Sequence, residues 1–160
     1  MSEDNNRATI VVFSGDMDKV FAALIIAIGC AAAGMDTTLF FTFWGLNAIK
    51  TGAPIKARGF LGKMMGILNR GGVDRLNPSR FSFGGIGRVL FSKMMRDKKV
   101  ASLEELRQTL IDLDVHLLAC KMSMDVLEIT REDLIPEVED VVGVATFVKE
   151  AAKSRIQLFI

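Results

Sequence analysis

Tyrosine is missing from this 160-residue chain, tryptophan and histidine occur once each, and there are only two cysteines. Two cysteines make no disulfide framework, so both read as free thiols of a reducing, cytoplasmic setting. One histidine and two scattered cysteines fall short of the ligands of a zinc site, and no metal or other cofactor is called for. Without tyrosine, the phenylalanines read as packing rather than as a base-stacking platform, which argues against nucleic acid as a partner. Nothing resembles a secretory signal. The longest uncharged apolar run, residues 20–35, is short of the roughly 20 residues that span a bilayer. It is half alanine and glycine and follows Asp16, Asp18 and Lys19, which suits a buried helix packed on a sheet. Neither paired carboxylates nor a Ser-His-Asp arrangement stands out.

Half of the residues are hydrophobic, and the length suits a single domain over residues 1–160. The polar start, Met1 to Asn6, is the one stretch expected to be disordered. Net charge is +1, but unevenly spread. Residues 1–55 carry 3 basic and 5 acidic side chains, residues 56–99 carry 11 and 2, and residues 100–160 carry 6 and 12. A basic middle between acidic flanks attracts an anionic partner, a membrane surface or nucleic acid, or forms a solvated insertion. Most of the chain's glycines lie there, with Met64, Met65, Met94 and Met95 among basic residues and Phe60, Phe81, Phe83 and Phe91 interleaved. Its most helical pieces are residues 61–68 and 86–95. Such a mixture marks an adaptable partner surface or a membrane-surface helix. Alternatively, it forms a helical hairpin over a sheet edge, with methionines as its small core.

The flanks are regular. Residues 8–14 (ATIVVFS) form a β-branched run ending in Ser14-Gly15-Asp16, a strand and turn. Asp16 suits the N-cap of the following helix and Gly34 its C-terminal exit. Residues 36–43 (DTTLFFTF) are a second strand, which completes a right-handed parallel βαβ unit. Ser102 and Glu105 make a capping box for a helix with a stripe of Leu103, Leu106, Leu110 and Leu113. Residues 115–119 (VHLLA) read as a central strand buried on both faces. Short helical pieces follow, Met122 to Leu127 and a turn capped by Thr130, then a fourth strand or extended segment at 138–142. A helix at 143–153 and a last strand at 156–160 close the pattern. Strands alternating with helices predict an α/β fold: three layers, with a doubly wound, mainly parallel sheet of about five strands.

In such sheets chemistry collects at the carboxyl ends of the strands, where Cys120 is placed. Amides at the following helix start, those of Met122 and Ser123, and the ammonium of Lys121 favour a thiolate there, which makes the sulfur nucleophilic. The opposing reading is a buried thiol serving as a small hydrophobe. Ser14 and Gly15, at the end of the first strand, and Trp44, after the second, are candidates to line the same crevice. Cys30, inside the alanine-rich helix, reads as structural. His116 stands about 13 Å from Cys120 along the strand, too far for a catalytic couple, and reads as a packing residue. The run Gly84-Gly85-Ile86-Gly87 lacks the context of a dinucleotide fingerprint.

The run Leu118-Ala119-Cys120-Lys121-Met122-Ser123-Met124-Asp125-Val126 resembles the cysteine motif of the DsrE/DsrF-like sulfur-relay family, in its peroxiredoxin-like branch. Gly15-Asp16-Met17-Asp18-Lys19, Phe40-Phe41-Thr42-Phe43-Trp44-Gly45-Leu46, Gly143-Val144-Ala145-Thr146 and the closing Leu158-Phe159-Ile160 extend the likeness over essentially the whole chain. It departs at Leu127-Glu128-Ile129, where that branch often has Met-Gly-Ile. The resemblance implies an oligomeric α/β/α domain. It also implies a cysteine, here Cys120, that accepts sulfane sulfur from a donor protein and passes it to an acceptor. Two other functions are compatible with the residues. One is a thiol oxidoreductase, whose resolving thiol within the chain would have to be Cys30. The other is a scaffold that docks through the basic, Met-rich middle.

Overall fold

The computed structural model describes residues 6–53, 64 and 71–160. Five strands form one parallel sheet: β1 (Arg7–Val12), β2 (Asp36–Phe41), β3 (His116–Cys120), β4 (Asp140–Val142) and β5 (Ile156–Phe159), in the order β4-β3-β2-β1-β5. The helices described over their whole length are α1 (Met17–Ala32), α2 (Ile86–Asp97), α3 (Leu103–Asp112), α4 (Lys121–Val126) and α5 (Val144–Ala151). Short 3-10 turns stand at Phe43–Ile49, Val73–Arg75, Phe83–Gly85 and Arg131–Asp133. The α/β architecture is the one the sequence pattern predicts.

Strand order decides which face each helix covers. From β1 to β4 the chain steps in one direction, and right-handed crossovers then put α1 and α3 on the same face. The return to β5 reverses direction and leaves α5 on the other face. Register shows the two layers. Ile10, Leu39 and Leu117 align across three strands, as do Val12, Phe41 and Ala119, and both rows point into the main core under α1. Val11, Phe40 and Leu118 align on the opposite face, in a smaller cluster that also holds Cys120 and Val142. Phe147 of α5 covers that cluster by stacking on Phe40 at 4.8 Å between ring centroids. No residue of α5 is fully buried, so this second face is thinly covered.

Local signals account for the element ends. Ser102 and Glu105 form the expected capping box, and Thr130 forms another with Asp133. Gly34 leaves α1 at φ 77°, a conformation glycine adopts without steric cost. Asp16 occupies the N-cap of α1, but its carboxylate pairs with Lys19 and makes no cap hydrogen bond. The run read as a buried helix is buried on one side only. Val20, Ala23, Leu24, Ala27 and Cys30 face the core, whereas Ile25, Ile26 and Gly29 are exposed. Among the described residues no helix is long and apolar enough to cross a membrane.

Of the two helical pieces expected in the basic middle, residues 86–95 belong to α2. Residues 61–68 lie outside the described residues, apart from Met64, which is helical and exposed. The expected disorder at the start likewise falls mainly outside them. Of the methionines described in the basic middle, Met95 is buried, whereas Met64 and Met94 are exposed.

Candidate functional site

Cys120 is the last residue of β3 and the N-cap of α4, and only 3% of it is exposed. The rows of the sheet place its neighbour. Phe41 pairs with Ala119, so Thr42, one step further, comes level with Cys120 on the same face. The Thr42 N–H still donates to the Val12 carbonyl, which holds the chain in line beyond the end of β2. Ser123, in the first turn of α4, is fully buried, and its hydroxyl lies 2.8 Å from that of Thr42.

These groups converge on the sulfur. Burial alone would push the Cys120 thiol up. Hydrogen bonds from the Ser123 hydroxyl and N–H, the Thr42 hydroxyl and the Met122 N–H outweigh it and hold the thiol below its ordinary value. The site is therefore a buried cysteine with four donors that favour its anion. Two hydroxyl protons must serve three contacts: sulfur to Ser123, sulfur to Thr42, and Ser123 to Thr42. Only two can be made at once. One arrangement is a relay in which one hydroxyl donates to sulfur while accepting from the other. Hydroxyl rotation switches its direction without moving a heavy atom.

The other expected residues fall into place differently. Met122 and Ser123 turn their N–H groups to the sulfur, while the Met122 side chain is exposed. Lys121 turns its ammonium to Asp125 on the exposed side of α4 and contributes nothing resolved to the thiol. Ser14 and Gly15 stand two strands away, about 10 Å by the spacing of a sheet. The Ser14 hydroxyl accepts from the Asp16 N–H. Gly15 is required where it is, because a Cβ there would come 2.7 Å from the Trp44 carbonyl oxygen. Trp44 is 41% exposed, so it is not a core residue. On the face of Cys120 the strand alternation brings Phe13 instead of Ser14, and Phe13 packs against Phe43 and Phe159.

His116 corrects its sequence reading. It is exposed at the opposite end of β3, with Nδ1 2.6 Å from Glu139 and Nε2 3.1 Å from Asp36. Cys30 is buried near the end of α1, and burial pushes its thiol up. Helix α1 starts at the sheet edge that carries Cys120 and runs away from it, which separates the two cysteines by about 20 Å. A disulfide between them is out of reach.

A family model for the DsrE/DsrF/DrsH-like family matches residues 4–159. The chain belongs to that family. It is 39% identical over the full length of both chains to the uncharacterized protein YrkE of Bacillus subtilis. It is 29% identical to the sulfur carrier protein DsrE2 of Allochromatium vinosum, covering 98% of this chain and 99% of the relative. Two solved structures share the fold. The ychN protein of E. coli has a TM-score of 0.55 at 12% identity and covers 96% of this chain and 98% of its own. MTH1491 of Methanobacterium thermoautotrophicum has a TM-score of 0.51 at 14% identity, with the same coverage.

Thr42 is the site residue that the sequence reading did not single out. Its signal was present: a hydroxyl at the carboxyl end of the strand that pairs with β3. Only the register shows that it reaches the sulfur.

Proposed function

We propose that the protein is a sulfur carrier that holds sulfane sulfur as a persulfide on Cys120 and passes it to an acceptor protein. The observation that carries this reading is a sulfur surrounded by two amides and two hydroxyls, all favouring the anion. Membership of the family supports it, as does a relative over the whole length that is named a sulfur carrier.

The chemistry balances without a cofactor. The Cys120 thiolate attacks the outer sulfur of a donor persulfide, forms a new S–S bond and breaks the donor's, and the donor leaves as a thiolate. In the second step an acceptor thiolate attacks the outer sulfur on Cys120, and the Cys120 thiolate leaves. Each step exchanges one S–S bond for another, with no net oxidation. The donors around Sγ serve at both ends of the cycle, because they stabilise the attacking thiolate and the same thiolate as it departs. The partners are thus a sulfur-donor protein and a sulfur-acceptor protein in the cytoplasm.

A homo-oligomer fits this reading, since exposed Phe13, Val144, Val148 and Phe159 leave the thinly covered face of the sheet available to a second copy. Sedimentation velocity reads that directly. The oxidoreductase alternative loses its resolving thiol, because Cys30 lies too far from Cys120.

Mass spectrometry of the reduced protein after incubation with a persulfide donor tests the proposal. The expected result is a gain of one sulfur that needs Cys120, survives Cys30→Ser and is lost on adding an acceptor thiol. A folded protein that gains no sulfur on Cys120 from an active donor would refute it.

A further inference from the structure

Helix α2 is apolar on the wrong side. It buries Gly87 and Met95, yet Ile86, Val89, Leu90 and Met94, at helical spacing along its outer face, are 57–71% exposed. The preceding loop adds Phe81 and Phe83, at 75% and 69% exposure, with their rings 6.1 Å apart. This loop is pinned to the helix: a Cβ on Gly87 would lie 1.8 Å from the Phe81 carbonyl oxygen. Between loop and helix runs an open groove of about 610 Å³, walled by Phe81, Phe83, Ile86, Leu90, Phe91 and Met94. Isolated exposed apolar residues are ordinary on a protein surface, but a contiguous set of six on one helix and its loop is not.

Charge identifies the occupant. Arg80, Lys93, Lys98 and Lys99 are all exposed around this patch, against Asp97 within residues 79–99 and Asp18 at the border of the groove. Among the described residues none of these four cations forms an ion pair. In the sequence, residues 54–70 carry four further basic side chains and no acidic one, so that stretch holds no carboxylate to neutralise them. A second copy of the same face would meet it with like charge. An apolar helix face fringed by lysines and arginines, whose long stems let the charged ends reach outward, matches an anionic bilayer surface.

We infer that α2 and the Phe81–Phe83 loop form a docking face for an anionic phospholipid membrane, with the apolar side chains at the acyl boundary and the cations on the headgroups. Asp18, in the first turn of α1, borders the groove and holds the loop through Ser79, whose N–H and hydroxyl both donate to it at 2.7 Å. The face therefore adjoins the sheet edge that carries Cys120. Docking would bring the sulfur site close to the bilayer without any part of it entering.

Co-sedimentation with vesicles tests this, using phosphatidylcholine alone and phosphatidylcholine mixed with phosphatidylglycerol. The wild type should bind only the mixed vesicles, and lose them at high salt as screening shortens the reach of the charges. Lys93→Glu with Lys98→Glu should weaken binding at least about twenty-fold, from roughly 1 kcal/mol per basic residue near the surface. Ile86→Gln with Leu90→Gln, which keeps good helix formers, should weaken it at least about ten-fold. Circular dichroism checks that both variants fold. Cys120→Ser should bind as the wild type does, which separates this inference from the sulfur chemistry. Three results would overturn it: no binding to mixed vesicles at low salt, full binding by the Gln pair, or dissociation of an oligomer by the Gln pair in a protein that ignores vesicles.

Discussion

Changing Thr42 to valine and Ser123 to alanine, singly and together, tests the hydroxyl relay at Cys120. Both side chains are buried, and their hydroxyls lie 2.8 Å apart. A hydrogen bond to a charged group contributes about 1.5–3 kcal/mol, which corresponds to about 1–2 pKa units. In either single variant the surviving hydroxyl has no competing partner and can still donate to Sγ, so the thiol should rise by less than about one unit. In the double variant only the amides of Met122 and Ser123 remain. The thiol should then rise by about 1–2 units, more than the two single shifts together. Both backbone amides survive the substitutions, so the change reports the hydroxyls alone. The assay is the rate of alkylation against pH in a Cys30→Ser background, checked against the ultraviolet absorbance of the thiolate. If Ser123→Ala alone moved the profile as far as the pair, the two hydroxyls would not substitute for one another and the relay would be wrong. If the pair moved nothing, hydrogen bonding would not be what lowers the thiol.

Three further outcomes follow from the fold. Lys50 is 2% exposed and desolvation lowers its pKa to about 8, against 10.5 unfolded, although Asp133 works the other way. Between those values the unfolded chain binds more protons, so stability should rise with pH from about 8 to 10.5; Lys50→Met should flatten that rise in denaturant titrations. At Gly45 a Cβ would lie 1.9 Å from the Val12 carbonyl oxygen, so Gly45→Ala should destabilise the protein by about 3 kcal/mol or more. Phe147→Ala would remove the ring stacked on Phe40 above the Cys120 cluster, and alkylation of Cys120 should quicken about ten-fold as a loosened cover costs about 1.4 kcal/mol less to open.

The strands and the outer helices were legible because their signals are local. Periodicity marked α3, a capping box marked its start, and β-branched runs marked β1 and β2. In the basic middle the helical piece at 86–95 was legible, while the glycines before it interrupt any period. Two of them, Gly84 and Gly85, take φ of 64° and 104° at the turn into α2. Cys120 could be placed at a strand end from its own neighbours. Its partners are divided: Met122 and Ser123 lie within three residues of it, whereas Thr42 is brought by a strand pairing that no local window contains. His116 was misread for the same reason. Strand alternation gives it a face but does not say that it sits at the entry edge of β3, between Asp36 and Glu139 from neighbouring segments.

Burial and the reactivity proposed for Cys120 look opposed, and the cover over the site reconciles them. Burial disfavours the anion, yet it also strengthens each hydrogen bond to the sulfur, because water no longer competes for the donors. A thiolate held in this way is less open to stray oxidants than an exposed one, provided that the cover opens for a partner. Helix α5 suits that role in its energetics. It has eight residues, none fully buried, and rests on the cluster mainly through one phenylalanine, whereas α1 on the other face buries six residues, five of them in the main core. Local opening costs least where few apolar contacts must break, so the face over Cys120 should yield before the face under α1 does. The topology thus supports two demands: a firm layer on one side of the sheet sets the register that brings Thr42 to the sulfur, and a light layer on the other leaves that sulfur within reach.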